Sequence, residues 1–281
     1  MTPITPQDVV AHQLEVPWPN LRQVEQDLLL CRSMASLFSD EFLSGQLAMR
    51  GGTLLHKVHL APAARYSEDI DLVVVGDRPE DHIRKALHRV LQPVLGKPQR
   101  SVWESISLAV RNAIRPSRVL RITYEVPSVV EPRYSLHIVV EANVTERIPH
   151  RSIAHLSFAF PFRKEQIATT VHGYEINEML GTKMRALFQR RRGRDLFDLH
   201  RAISMPLQGF SSAEVMESFR HYLDAEKSRA GRAEFTALLA GHMADPGFRS
   251  DMHDLLRQGI EYDPQEAARL VQRELIDLLP N

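Results

Sequence analysis

The sequence predicts an α/β or α+β core built on a mixed sheet, followed by a helical C-terminal domain. Three observations carry this. β-Branched or alternating runs occur at 69–75 (DIDLVVV), 118–126 (RVLRITYEV) and 135–144 (SLHIVVEANV). Stretches of helical period separate them. Beyond residue 174 the strand signals stop, and apolar residues recur only at helical spacing.

In chain order, the first 20 residues are rich in proline and polar side chains and give a short helix or arm. From Leu21 to about Leu47, the residues Val24, Leu28, Leu29, Met34, Leu37 and Phe38 keep helical spacing, enough for one or two helices. Gly51-Gly52-Thr53 opens a helical stretch through Leu54, Leu55, Val58 and Leu60, which Pro62 stops. DIDLVVV then reads as a strand ended by Gly76-Asp77. Ile83, Ala86, Leu87, Val90 and Leu91 place an amphipathic helix over 79–95.

In RVLRITYEV, Leu120, Ile122, Tyr124 and Val126 alternate with Arg121, Thr123 and Glu125, as in a half-exposed strand. The turn-like PSVVEP separates it from SLHIVVEANV. EINEMLGTKMRALFQRRR, RDLFDLHRAI, AEVMESFRHYL, RAEFTALLAGHM and PQEAARLVQRELIDLL complete the chain as helices. The composition shift divides it into 1–168 and 169–281.

With 43% hydrophobic and 25% charged residues among 281, the chain can build one sizeable core or two smaller ones, which argues against disorder. Its 35 basic and 35 acidic residues balance, so any polyanion site must be a local cluster. A lone cysteine, Cys31, forms no internal disulfide and suits a reducing cytoplasm. The N-terminal residues lack the basic start and apolar run of a signal peptide, and no stretch approaches the roughly 20 apolar residues of a membrane span. The expectation is a cytoplasmic protein with no membrane partner. The 13 histidines show no metal-ligand spacing, and Trp18, Trp103 and Cys31 read as packing residues.

The informative fragment is Ser67-Glu68-Asp69-Ile70-Asp71. On a strand, Asp69 and Asp71 share a face, about 6.6 Å apart along the chain, while Ile70, Leu72 and Val74 face a core. Two carboxylates on one face repel and are costly to desolvate unless they hold a cation, and their oxygens suit Mg²⁺. Two solvated acids at a strand end would look the same. Gly51-Gly52-Thr53, a short helix upstream, lets backbone N–H groups approach a phosphate, with Thr53 as N-cap or phosphate donor. Glu141 ends a strand on which His137 and Val139 share its face, and a neighbouring antiparallel strand could bring it to the Asp69/Asp71 edge. A strand-terminal acid facing water is the competing reading.

Downstream, Lys183 lies beside the apolar stripe Ile176, Met179, Leu180, Met184 and Leu187, so it either snorkels outward or meets an anion. Arg190, Arg191, Arg192 and Arg194 follow as a local basic run, and Asp198 stands one helical turn from Arg194, where the two can pair.

GGTLLHKVHLAPAARYSEDIDLVVV resembles the signature of the AbiEii toxin family of the nucleotidyltransferase superfamily, a Gly-Gly segment followed by an R-x-S-x-D-I-D core. Arg65, Ser67, Asp69, Ile70 and Asp71 match that core. Lys183, Ala186, Arg194, Asp195 and Asp198 match the family's second patch. The resemblance implies a nucleotidyltransferase-like core and a helical domain contributing to the active-site cleft. It also implies transfer of a nucleoside monophosphate from an NTP to an acceptor hydroxyl, with Mg²⁺ or Mn²⁺ held by Asp69, Asp71 and Glu141. In this reading Gly52, Thr53, Ser67 and Lys183 bind the nucleotide, Asp198 helps shape the site, and Arg190, Arg191, Arg192 and Arg194 guide RNA. The leading acceptor is the tRNA 3′ end, and a cognate antitoxin is the expected partner. A small-molecule or protein hydroxyl acceptor, or a non-catalytic nucleotide- or partner-binding module, stays open.

Overall fold

The computed structural model describes residues 3–16, 18–110 and 113–281, without the side chains of 106–117. The chain divides into two compact units, Met1–Ile106 with Pro116–Tyr174, and Ser107–Arg115 with Glu175–Asn281.

The first unit centres on a seven-stranded mixed sheet. Its strands are β1 (Leu47–Arg50), β2 (Asp69–Val74), β3 (Arg100–Val110), β4 (Ala113–Pro127), β5 (Ser135–Asn143), β6 (Ala154–Phe162) and β7 (Glu165–Gly173), in the order β3-β4-β5-β2-β1-β7-β6. A mixed α/β core followed by helices is thus what forms. β1, β3, β6 and β7 add to the strands expected from the sequence. Glu141 does reach the β2 edge, but β5 runs parallel to β2, not antiparallel. A parallel neighbour needs a long crossover, and residues 75–134, carrying α5 (Glu80–Leu95), β3 and β4, supply it.

One sheet face is apolar, with Ile70, Leu72, Val74, Ile122, Tyr124, Ile138 and Val140 buried. α2 (Leu21–Ser39) packs on β2, β5 and β7, and α5 packs against α2. Asn20 caps α2 by accepting from the Arg22 N–H at 2.8 Å. Each fully buried Leu or Val on this face contributes about 1.5–3 kcal/mol. Gln26 of α2 sets strand ends directly: its Nε2 donates to the Glu68 carbonyl at 3.2 Å and the His137 carbonyl at 3.0 Å, the residues that lead into β2 and lie at the start of β5.

The second unit is helical, comprising α6 (Ile176–Gln189), α7 (Gly193–Ser204), α8 (Ser212–Ala225), α9 (Arg232–Ala244), α10 (Pro246–Ser250) and α11 (Pro264–Glu274). A Cβ at Gly181 would sit 2.6 Å from Ser218 Cβ, so α6 and α8 approach as closely as they do only because glycine is there. Phe188, Phe219 and Phe235 meet in this core, with ring centroids 5.1–6.2 Å apart. Among the described residues no helix is long and apolar enough to cross a membrane.

Beneath the first unit's helices lies a buried polar cluster that corrects the reading of Cys31 and the histidines. α1 (Pro6–Gln13) brings His12 Nε2 to 2.8 Å from Asp27 Oδ2, and Cys31 Sγ stands 3.6 Å from the same oxygen. Trp18 Nε1 donates to Asp27 Oδ1 at 3.0 Å, so this tryptophan has a polar task besides packing. Lys57 Nζ lies 2.5 Å from Asp27 Oδ1 and 3.4 Å from Cys31 Sγ. No periodicity in the sequence shows this, because His12 and Lys57 reach Asp27 through tertiary packing.

Among the described residues, His12, Asp27 and Cys31 are the one group of three potential metal donors whose ligand atoms lie within 4.8 Å of one another. The Lys57 ammonium already supplies the cation there. Burial pushes the Cys31 thiol up to about 12, away from the thiolate a metal needs. The cluster reads as a structural anchor. Burial would raise the Asp27 carboxyl, but Lys57 and His12 outweigh it and hold it below the ordinary range.

Asp27→Asn leaves Lys57 buried without its counter-charge and is expected to cost about 3–5 kcal/mol in urea unfolding at pH 7. Because the native carboxyl is depressed, its contribution is complete at neutral pH. It is lost as pH falls below the unfolded value of about 3.9 toward the native one. The stability difference between wild type and Asp27→Asn should therefore shrink between pH 5 and 2, and a constant difference would contradict the assignment.

Candidate active site

The polar face of the sheet carries the acids. β1 ends at Arg50, and Gly51, with φ +82°, turns the chain into α4 (Gly51–Leu54) and a π-helical turn over Leu55–His59. Only glycine fits here: a Cβ at Gly51 would fall 1.9 Å from Asp71 Oδ2, and one at Gly52 would fall 2.7 Å from Arg65 Nη2 and 3.0 Å from Ser67 Oγ. The β2 acid and the loop before it thus lie against the Gly-Gly backbone. Thr53 is fully buried and is not the N-cap, a position held by Arg50. Its Oγ1 donates to the Asp69 carbonyl at 2.5 Å and lies 2.9 Å from Ser67 Oγ. The threonine braces the start of β2.

Strand register then aligns four charges. Arg50 of β1 faces Asp71 of β2, Asp71 faces Glu141 of β5, and Glu141 faces Arg121 of β4. In-register neighbours share a face, so a row runs Arg50, Asp71, Glu141, Arg121 across strands about 4.8 Å apart. Asp69 lies two residues before Asp71, on the same face and exposed. Asp71 is half-buried and, among the described residues, has no hydrogen-bond or ion-pair partner.

Both arginines are engaged. Arg121 Nε and Nη2 lie 2.9 and 2.6 Å from Glu141 Oε1, and Nη1 lies 3.4 Å from Glu104 Oε2. Arg50 pairs with Glu146, whose backbone N–H is held by Asn143 Oδ1 at 2.9 Å. Burial works against the Arg50 charge, but Glu146, Tyr174 and Asp71 together hold it above its ordinary value. Sequence reasoning missed both arginines. The alternation puts Arg121 on the polar face, yet only the register puts it opposite Glu141.

The donors on this face are carboxylate oxygens, and a half-buried, unpartnered Asp71 beside a second acid fits a hard divalent cation. Asp69 and Asp71 are the residues that would hold it, with Glu141 adjacent.

The second unit places the other predicted residues. Lys183 is buried, with Nζ 2.7 Å from Asp198 Oδ2 and 3.5 Å from Asp195 Oδ1. The anion beside the stripe is therefore an aspartate pair from α7, and Asp198 takes Lys183, not Arg194, as its ion partner. Arg190 forks onto Asp195 at 2.8 and 3.0 Å. Arg191 pairs with Asp245 at 3.1 Å across an exposed surface, Arg192 is exposed, and the Arg194 N–H donates to Asp251 at 3.0 Å.

Gly51→Ala, forced to φ +82° with its Cβ against Asp71, should lose roughly 1–3 kcal/mol in thermal unfolding. Asp71→Ala in the same background should recover part of that loss, because it removes the clashing carboxylate. Lys183→Met leaves Asp198 buried without its cation and should cost about 3–5 kcal/mol. A melting temperature equal to wild type would show that the pair is not structural.

The chain matches the family described as nucleotidyl transferase AbiEii toxin of type IV toxin–antitoxin systems over residues 32–273. Among solved structures it is similar to MenT4, a nucleotidyltransferase toxin from Mycobacterium tuberculosis, with TM-score 0.62 and 17% identity, covering 98% of this chain and 90% of that one. It is also similar to JHP933 from Helicobacter pylori, with TM-score 0.52 and 13% identity, covering 92% and 91%. No curated protein matches it by sequence. At these identities the structures speak for the fold, whereas the family match spans most of the chain: the protein belongs to the AbiEii family of nucleotidyltransferase toxins from toxin–antitoxin systems.

Proposed function

We propose that the protein transfers a nucleoside monophosphate from an NTP to an acceptor hydroxyl, the tRNA 3′ end being the leading acceptor. The observation that carries this reading is the unpartnered Asp71 carboxylate, in register with Glu141 and lying against the Gly51 backbone. Asp69 and Asp71 would hold Mg²⁺ or Mn²⁺, which when bound neutralises phosphate charge and favours in-line displacement. Glu141 completes the acidic face or accepts the acceptor's proton. Gly52 offers backbone without a side chain, Thr53 acts through its brace on Asp69, and Ser67 stands beside both at the nucleotide. Lys183 is proposed for phosphate charge on the family resemblance alone, its ammonium being held by Asp198 in the helical unit.

Of the basic run, Arg191 and Arg192 are the arginines best placed for RNA phosphates. The exposed Arg191–Asp245 pair is worth little and exchanges readily, whereas Arg190 is forked onto a buried carboxylate. An antitoxin partner follows from the family.

The test is incubation with Mg²⁺, each labelled NTP in turn and total tRNA, beside Asp69→Ala and Asp71→Asn. Label on tRNA with wild type alone supports the reading, and transfer undiminished in Asp71→Asn would overturn it. Mg²⁺-dependent NTP binding without tRNA labelling would move the acceptor to a small molecule or a protein hydroxyl. Replacing Arg191 and Arg192 by Ala should weaken tRNA binding and lower the log K against log salt slope by about 1–2. An unchanged slope would remove them from the RNA surface.

A further inference from the structure

Arg121 belongs to no motif and touches no expected substrate group, yet it grips the acid beside Asp71. Two of its nitrogens, Nε at 2.9 Å and Nη2 at 2.6 Å, converge on one Glu141 oxygen. Its third, Nη1, already stands 3.4 Å from Glu104 Oε2. Glu104 in turn takes Arg100 Nη2 at 3.1 Å on its other oxygen. The guanidinium therefore spans two carboxylates, one on the acidic face and one beyond it on β3. Side-chain exposures of 38% for Arg121, 28% for Glu141 and 25% for Glu104 leave it room to turn.

We propose that Arg121 is a positioning residue, an internal counter-ion that holds Glu141 in place of a divalent cation and passes to Glu104 when the cation binds. The inference rests on the reading of Asp69 and Asp71 as metal ligands. Its physical basis is charge balance. Along the row, Arg50 offsets Asp71 and Arg121 offsets Glu141, which keeps two adjacent carboxylates tolerable without an ion. A cation arriving at this face gains Glu141 only if the guanidinium leaves it. Arg121 on Glu141 therefore opposes cation binding, and Glu104 lowers the cost of moving away. Arg50 lacks this freedom, because it is fixed between Glu146 and the Tyr174 ring.

The probe is Mn²⁺ alone, titrated without nucleotide at constant ionic strength and followed by electron paramagnetic resonance of the free ion. Wild type should bind Mn²⁺, and Asp71→Asn should lose it. Arg121→Gln should bind on the order of tenfold more tightly, a gain of about 1.4 kcal/mol. In a Glu141→Gln background the same substitution should gain nothing. An equal gain in both backgrounds would mean that Arg121 acts only through its long-range field, and the proposal would fail.

Glu104→Gln should weaken binding in wild type and leave Arg121→Gln unaffected, because the resting place matters only while the arginine is present. Should Arg121→Gln not fold, judged by its melting without metal, Arg121→Lys carries the same comparison, since an ammonium cannot span both acids. If wild type binds Mn²⁺ through Asp71 but the Arg121 variants match it, the counter-ion fails and the metal reading stands. If Asp71→Asn binds as wild type does, or wild type does not bind at all, both fall.

Discussion

The parallel, in-register pairing of β2 with β5 is the constraint on which the acidic face depends. It sets Asp71 against Glu141, residues 70 positions apart, at the spacing of adjacent strands. A slip of one residue in either strand would turn its acid into the apolar face and put its Ile70 or Val140 in water, so burial of that face protects the register. Gln26 adds a direct fix by bonding the carbonyls of Glu68 and His137 from above. Helix α2 thus does more than cover the core. It holds the two strand ends from which the acids are measured.

Charge is managed the same way at three places where acids gather: a cation is set beside them. On the sheet, Arg50 and Arg121 bracket Asp71 and Glu141. Under α2, Lys57, His12 and Trp18 satisfy both oxygens of Asp27. In the helical unit, Lys183 and Arg190 serve Asp198 and Asp195. A buried pair of this kind adds little net stability when intact but costs several kcal/mol when half of it is removed, so these pairs fix geometry more than they supply stability. Asp71 differs in degree: it is half-buried beside the Arg50 charge but, among the described residues, makes no hydrogen bond or ion pair. In the proposed function, that difference is what singles out Asp71 as a cation ligand.

Membership of the AbiEii family gives these observations their context. The fold persists at 17% identity to MenT4 and 13% to JHP933. At such identities most aligned residues differ, while in this chain the pattern still buries one sheet face and presents the other. The Gly51-Gly52 segment belongs to that presentation. Its two missing Cβ atoms are space occupied by Asp71, Arg65 and Ser67, so the glycines and the acids form one packed unit.

Local pattern was enough for much of this. The alternation in 69–75, 118–126 and 135–144 and the helical repeats after residue 174 are short-range consequences of which side chains can be buried, so the mixed core and helical tail were legible. β6 carried a comparable signal in Leu156, Phe158, Phe160 and Phe162, whereas four-residue β1 carried almost none. The Asp69/Asp71 pair and the Gly-Gly segment were legible because their partners are close in sequence. Tertiary structure alone decided the parallel sense of β5, the placing of Arg121 on Glu141, and the gathering of His12, Cys31 and Lys57 around Asp27. It also decided that Lys183 meets Asp198 and that Thr53 braces Asp69. Each of these depends on which distant segments share a core, and side-chain periodicity fixes only the face a residue turns to, not the neighbour it finds there.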